Sequence, residues 1–178
     1  MEEYLTADEA LAQLGTTKKH IQHLRWSGCG VRSGLFRLRY AKRDILRVML
    51  IGSVGSENEI RWSPVIRMAN AILLQAANAG EKSLVFEPRR DEVSIRYGSG
   101  GIPRVSDTQE CSTTLPNNIK IPVIARLKDL AGLALDVQDR TQSGTIRLTY
   151  QDRTWDYPIM VEPTPLGERV HVEIRPVE

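Results

Sequence analysis

Apolar residues in the first part of the chain recur at the spacing of short helices. Thr6 and Glu9 form a capping box, in which each side chain can satisfy a backbone amide of the first helical turn, and Gly15 supplies the stop. Thr17 can cap a second helix one turn later. Two short helices joined by a tight turn that contains glycine predict a helix-turn-helix.

Beyond the second helix, the apolar pattern changes to a period of two. Residues 35–40 (LFRLRY) alternate, which places Arg37 and Arg39 on one face of a strand and the apolar side chains on the other. Residues 41–50 return to helical spacing. The pattern therefore predicts a small winged helix-turn-helix over residues 1–50.

Residues 51–60 lose this periodicity and collect glycine, serine and asparagine, which is typical of a linker. A long helix is predicted to begin at Ser63-Pro64, where serine is the N-cap and proline the first helical residue, and to end at Gly80. Residues 84–87 and 93–97 then alternate as a hairpin around the sequence PRRDE. The second domain is predicted over residues 61–178.

The rest of this domain predicts one more helix and three strands. The helix covers residues 119–131, with Pro122 tolerable only in its first turn. The three strands of this domain have the period-two pattern of a half-exposed sheet. Ten of their residues are predicted to face inward: Ile146, Leu148, Tyr150, Trp155, Tyr157, Ile159, Val161, Val170, Val172 and Ile174. The predicted fold class is α+β, a winged helix-turn-helix followed by a layered domain with a mostly antiparallel sheet and flanking helices.

Composition narrows the class of protein. The chain has 178 residues, 41% hydrophobic and 26% charged, with a net charge of +2, which excludes disordered and collagen-like chains. Residues 1–50 are more basic, with nine Lys/Arg against five Asp/Glu. No apolar run is long enough for a membrane span, the acidic start excludes a signal peptide, and the distant Cys29 and Cys111 favour a reducing compartment. We expect a cytoplasmic protein.

The exposed face of the second helix carries the candidate contacts to double-stranded DNA. Lysines at a helix N-terminus suit an anion, because the helix dipole and the ammonium charges act together. The candidate DNA-binding residues are Thr17, Lys18, Lys19, Gln22 and Arg25 on the helix, with Arg37 and Arg39 on the wing. Small helix-turn-helix modules also bind proteins, so that a protein-docking unit is the alternative interpretation.

Two segments carry a family resemblance for this first domain, YLTADEALAQLGTTKKHIQHLRWSG and FRLRYAKRDIL. They resemble the winged helix-turn-helix modules of the excisionase and MerR-like DNA-binding families of bacteria. The resemblance implies that the helix after Thr17 enters a major groove while the wing arginines contact phosphates. MerR regulators dimerise through a long helix after this module, which this chain replaces with a linker.

Four segments of residues 61–178 carry a second resemblance: SPVIRMANAILLQAANAGEKSLVFEPRRDEVSIRYGSGGIPR, VIARLKDLAGL, QSGTIRL and PTPLGERVHVEI. Together they resemble the N-terminal regulatory domain that precedes the motor in type II secretion and type IV pilus assembly ATPases. The resemblance implies a partner-binding domain that follows the DNA-binding module. Its partner would be a secretion or pilus ATPase, or a second copy of the chain.

Departures from that family remove the expected nucleotide chemistry. The sequence has no phosphate-binding loop of the form Gly-x-x-x-x-Gly-Lys-Ser/Thr. Three positions where the family has arginine are Gly98, Thr145 and Pro158 here. The arginines that remain, Arg96 and Arg126, are candidates for contact with an anion, although isolated arginines are more often solvated or ion-paired.

Other candidate sites are rejected on spacing. His20 and His23 lack a fourth ligand for zinc, and no catalytic residue, cofactor or metal is predicted. Gly98–Gly101 is predicted to be a hairpin turn. The three tryptophans, Trp26, Trp62 and Trp155, are expected in the core or at a domain contact.

The sequence therefore predicts a non-enzymatic DNA-binding regulator whose C-terminal domain binds a partner or forms oligomers. The alternative is an adaptor that docks to the type II secretion or type IV pilus assembly machinery without binding DNA. Fold resemblance alone does not decide between these functions.

Overall fold

The computed structural model describes residues 3–33, 37–52, 64–98 and 112–177. The chain forms two compact units, Met1–Arg67 and Met68–Glu178. Both described units combine helices with antiparallel strands, which confirms the predicted α+β class. Most of the predicted linker lies outside the described residues, and its first residue, Ile51, is instead the buried end of a helix. The division into residues 1–50, 51–60 and 61–178 stays a prediction.

Three helices of the first unit begin and end largely where local chemistry dictates. They are α1 (Ala7–Leu14), α2 (Lys18–Trp26) and α3 (Lys42–Ile51). The capping box is present, because the Glu9 amide donates to Thr6 Oγ1 at 3.2 Å and the Thr6 amide donates to Glu9 Oε2 at 2.7 Å. Gly15 ends α1 with φ at 63°, and Thr17 accepts the His20 amide at the start of α2.

A three-stranded sheet completes this unit. Its strands are β1 (Tyr4–Thr6), β2 (Val31–Ser33) and β3 (Arg37–Ala41), with β3 in the centre. The predicted strand over residues 35–40 is therefore β3, and its first two residues lie outside the described ranges. Strands β1 and β2 were not predicted, because three residues are too few to show alternation. The buried cluster of the unit is Leu5, Ala10, Leu24, Tyr40, Ile45 and Val48.

The described residues from Pro64 onwards, nearly all of them in the second unit, form two helices and seven strands. The helices are α4 (Pro64–Asn78) and α5 (Asn117–Leu130). The strands are β4 (Ser83–Pro88), β5 (Glu92–Gly98), β6 (Ser112–Pro116), β7 (Gln142–Tyr150), β8 (Arg153–Thr164), β9 (Gly167–Glu173) and β10 (Arg175–Val177). They form one antiparallel sheet in the order β10-β8-β9-β4-β5-β6, and β7 pairs with the other side of β8.

The predicted inward faces of the last two long strands are confirmed. Every predicted residue of β8 is buried, as are Val170 and Val172 of β9 and Ile174 directly after it. The hydroxyl of Tyr157 donates to the Leu73 carbonyl oxygen at 3.3 Å, which joins the sheet to α4. Burial raises the pKa of Tyr157 to about 12, so the phenol stays neutral and keeps its proton for this hydrogen bond.

Three expectations for single residues were wrong. Tyr150 is 46% exposed, because it is the last residue of β7 before the Gln151–Asp152 turn. Pro122 is the sixth residue of α5 and not part of its first turn, so the helix forgoes one amide hydrogen bond in its interior. Trp26 is 77% exposed at the end of α2 and belongs to no core. Trp155 is buried as expected, whereas Trp62 and most of the predicted Gly98–Gly101 turn lie outside the described residues.

Gly144 of β7 lies close to Ala131, the residue that follows α5. A Cβ atom at this position would lie 2.7 Å from the Ala131 carbonyl oxygen, closer than any normal contact. We expect Gly144→Ala to lower the free energy of unfolding by about 1–3 kcal/mol, measured by urea denaturation. The neighbouring exposed substitution Ser143→Ala is the control and should change it by less than about 0.5 kcal/mol. Equal effects of the two substitutions would contradict the proposed close contact.

Candidate partner-binding surfaces

One exposed face of α2 carries the residues predicted to contact DNA. All five predicted residues of this segment are exposed: Thr17, Lys18, Lys19, Gln22 and Arg25. The helix KKHIQHLRW contains no acidic residue, so its N-terminal dipole and its cations produce potential of the same sign. The Thr17 side chain is the N-cap and accepts a backbone amide, which makes its first role structural.

The structure brings three of these residues together in a groove. Lys18, Gln22 and Arg25 line it together with residues of α1 and β3. Asp8 and Glu9 also line the groove, so its charge is mixed. Lys19 lies on α2 outside this lining, as does the half-buried Arg39 on β3. The side chain of Arg37 lies outside the described part of the chain.

In the second unit, buried lysines tie α5 to the turns that surround it. The Lys128 ammonium is 1% exposed and donates to Glu168 Oε1 at 2.6 Å and to the Val137 carbonyl oxygen at 2.7 Å. Lys120 donates to the carbonyl oxygens of Arg89 and Leu166 at 3.1 and 2.7 Å. Because a buried charge is costly without partners, these contacts fix the position of the helix.

The sequence interpretation missed both lysines, although a signal was present. They take positions 120 and 128 of a helix whose residues 123, 124 and 127 are buried and apolar. Residues at these intervals share one face of a helix, so the periodicity places both ammonium groups on the buried side. A lysine at an apolar position of a helix indicates a buried partner.

The arginines considered as anion contacts have carboxylate partners. Arg126 forms an ion pair with Asp129 at 3.0 Å, and both side chains are buried. Arg96 lies 3.5 Å from Glu87, which also accepts two hydrogen bonds from Arg169 at 2.7 and 2.6 Å. The Glu87 carboxylate raises the pKa of the Arg169 guanidinium. These arginines are therefore engaged within the unit, and their contact with an anion stays a prediction.

The sheet face opposite Tyr157 carries a groove. Side chains alternate along β8, so Pro158, Met160 and Glu162 lie on the face opposite the buried Tyr157, Ile159 and Val161. Met160 is 38% exposed in this groove. His171 Nε2 lies 3.3 Å from Glu162 Oε2 at its side. The groove therefore offers an apolar centre with polar side chains beside it.

The described ranges contain no cluster of three or more His, Cys, Asp or Glu side chains placed to bind a metal ion. In the same part of the chain, no helix is both long and apolar enough to span a membrane.

Comparison with known proteins identifies relatives for part of the chain. The type IV pilus assembly ATPase PilB of Pseudomonas aeruginosa is 28% identical over 113 residues, which cover 63% of this chain and 19% of PilB. The type II secretion system protein HxcR of the same species is 31% identical over 109 residues, covering 61% and 22%. The type II secretion system protein E of Xanthomonas campestris is 27% identical over 108 residues, covering 61% and 18%. No protein-family model matches the chain.

These matches cover only part of each relative. The chain spans about a fifth of the length of the curated relatives it matches. Each match is longer than the first unit, Met1–Arg67, and so includes part of the second. The resemblance to secretion and pilus ATPases expected from the sequence is confirmed as a similarity over part of both chains. The resemblance of residues 1–50 to DNA-binding modules stays a prediction.

We expect the buried Lys128–Glu168 pair to contribute far more to stability than an exposed pair. Lys128→Met leaves the Glu168 carboxylate without its cation and should lower the free energy of unfolding by about 3–5 kcal/mol in urea titrations. The double variant Lys128→Met/Glu168→Met should recover part of the loss, because no unpaired charge remains. Arg147→Met, which breaks the exposed pair with Asp156, is the control and should have little effect. A similar loss in both single variants would contradict this assignment.

Proposed function

We propose that this chain is a non-enzymatic adaptor that docks, through residues 61–178, to the type II secretion or type IV pilus assembly machinery. The observation that carries the proposal is the similarity to a type IV pilus assembly ATPase and two type II secretion system proteins over 108 to 113 residues. A domain related to part of an assembly ATPase is a candidate component of the same assembly. We therefore take the ATPase itself as the first partner to test.

The chemistry of the second unit supports a docking role over catalysis. Arg96, Arg126 and Lys128 each face a carboxylate of the same unit. A triphosphate would have to displace these carboxylates from cations that are largely buried, at a large electrostatic cost. The sequence given also carries no phosphate-binding loop. These features favour binding of a protein over nucleotide turnover.

We place the docking surface on the sheet face that carries Met160. Tyr157, on the opposite face, hydrogen-bonds α4. On the Met160 face the groove combines the half-exposed methionine with Pro158 and the His171–Glu162 pair. An unbranched, polarisable methionine at the centre can adapt its conformation to a partner surface. The polar side chains beside it would form the polar rim of the interface.

This placement is tested with the full chain and a purified type II secretion or type IV pilus assembly ATPase from the same organism. We expect binding by biolayer interferometry, and we expect Met160→Asp to weaken it at least about tenfold, because the interface would then bury an unpaired carboxylate. Circular dichroism checks that the variant is folded.

Leu166→Asp is the matched control for this experiment. Leu166 is 52% exposed on the turn between β8 and β9 and does not line the groove, so this variant should bind like the unmodified chain. Absence of binding to ATPases of both systems would contradict the adaptor function. Equal weakening by the two substitutions would contradict the docking surface alone.

DNA binding by the first unit is the second candidate function. The observation that favours it is the exposed face of α2, where Lys18, Lys19, Gln22 and Arg25 stand without an acidic neighbour on the same helix. Cations on an exposed helix are the electrostatic footprint that a phosphate backbone requires. Arg37 and Arg39 on the wing strand would add phosphate contacts.

Fluorescence anisotropy of a labelled duplex of about 30 base pairs tests this candidate over a range of salt concentrations. With four to six phosphate contacts, the logarithm of the binding constant should fall with the logarithm of salt with a slope near −4 to −5. Lys18→Ala/Lys19→Ala should reduce that slope by about 2. Lys82→Ala/Arg90→Ala, which removes two exposed cations of the second unit, is the charge-matched control and should leave the slope unchanged. No binding at low salt, or an unchanged slope in the Lys18/Lys19 variant, would contradict DNA binding by α2.

A further inference from the structure

The described sheet of the second unit has three open edges, and two of them are protected against pairing with another strand. Strand β10 has three residues with Pro176 in the middle, and β6 has five residues and ends at Pro116. Strand β7 has nine residues without proline or lysine, and its register with β8 runs unbroken from Gln142 to Tyr150. Because proteins protect sheet edges with proline, lysine, bulges or short strands, β7 is the edge that remains ready to pair.

Only the second part of β7 is free along its outer edge. The Gln142 side chain hydrogen-bonds the backbone of Ala134 and Val137, and Gly144 lies against Ala131. From Thr145 to Tyr150 no described strand pairs with this edge. The free edge is therefore six residues long.

The side chains of this free edge favour another strand as its occupant. Thr145, Ile146, Thr149 and Tyr150 are residues with high strand propensity. Arg147 is the one charged residue of β7, and its guanidinium donates to both carboxylate oxygens of Asp156 at 2.7 Å. The edge thus offers backbone hydrogen-bonding groups with no uncompensated charge.

We propose that this edge pairs with the same edge of a second copy of the chain, antiparallel and centred on Leu148. In this register Leu148 faces its own counterpart, Ile146 faces Tyr150, and Arg147 faces Thr149. Apolar side chains on one face of the sheet then meet across the two-fold axis, and the half-exposed Leu148 and Tyr150 gain contacts.

The registers centred on Arg147 and on Ile146 are less favourable. A pairing centred on Arg147 sets two guanidinium groups directly opposite each other, which is destabilising. A pairing of the same length centred on Ile146 requires Gly144, which lies against Ala131 in the turn after α5. The charge and size of the side chains are thus self-complementary in the Leu148 register.

Pairing of five residues from each copy gives a small interface, so the dimer is weak and depends on concentration. It uses the strand edge and not the Met160 face. The proposed dimer therefore does not depend on either proposed partner, the ATPase or DNA.

Sedimentation velocity of the full chain from about 5 to about 500 μM tests the dimer. We expect the mass to shift from monomer towards dimer across this range. Leu148→Lys should abolish the shift, because two ammonium groups would face each other, whereas Leu166→Lys on the β8–β9 turn should retain it. A monomer throughout the range would overturn the proposal, as would dimerisation that Leu148→Lys does not affect.

Disulfide cross-linking tests the register without relying on a charged substitution. In the Cys29→Ser/Cys111→Ser background, Leu148→Cys should form an intermolecular disulfide under mild oxidation at least about tenfold faster than Thr149→Cys, since Cβ atoms of directly opposed residues lie within about 5.5 Å. The double variant Arg147→Cys/Thr149→Cys should restore fast cross-linking. Equal rates for the two single variants would overturn the register.

Discussion

The ammonium group of Lys128 lies in the core of the second unit, between the Glu168 carboxylate and the Val137 carbonyl oxygen. Lys120, two turns earlier on the same helix, reaches two further backbone carbonyls. A buried ammonium keeps its charge only while such acceptors surround it, so these contacts tie α5 to the turns at its ends. The position of α5 in the unit depends on these contacts, and the proposed docking surface is the sheet face that carries Met160.

Local chemistry was strong enough to predict much of the fold. Thr6, Glu9 and Gly15 mark the ends of α1, and the alternation through Trp155, Tyr157 and Ile159 gives the buried face of β8. Strands β1 and β10 could not be predicted, because three-residue strands are defined by their pairing with β3 and β8 and not by their own pattern. Trp26 and Pro122 were misjudged because a residue type alone does not determine burial or position within a helix.

For the candidate sites, the sequence predicted which side chains are exposed but not which side chains they contact. The exposed face of α2 follows from the position of Ile21 and Leu24, so the exposure of Lys18, Gln22 and Arg25 could be predicted from the sequence, whereas their contact with DNA stays a prediction. The partners of Arg96 and Arg126 depend on the fold, and the structure shows that they are the carboxylates of Glu87 and Asp129. The same unit thus lends itself to protein contacts on its Met160 face and along the β7 edge. The two proposals together describe a component that docks to an assembly and pairs with a second copy of itself.

The central claim is that the Met160 face docks to a secretion or pilus ATPase. The chain contains four methionines, of which Met49 and Met68 lie on helices α3 and α4 and Met160 lies in the groove. Labelling the methionine methyl groups with carbon-13 therefore gives a probe at the proposed surface and internal controls elsewhere. On addition of the unlabelled ATPase, the account predicts that the Met160 methyl signal shifts or broadens while those of Met49 and Met68 keep their positions. An unchanged Met160 signal in a mixture where binding is detected would contradict it.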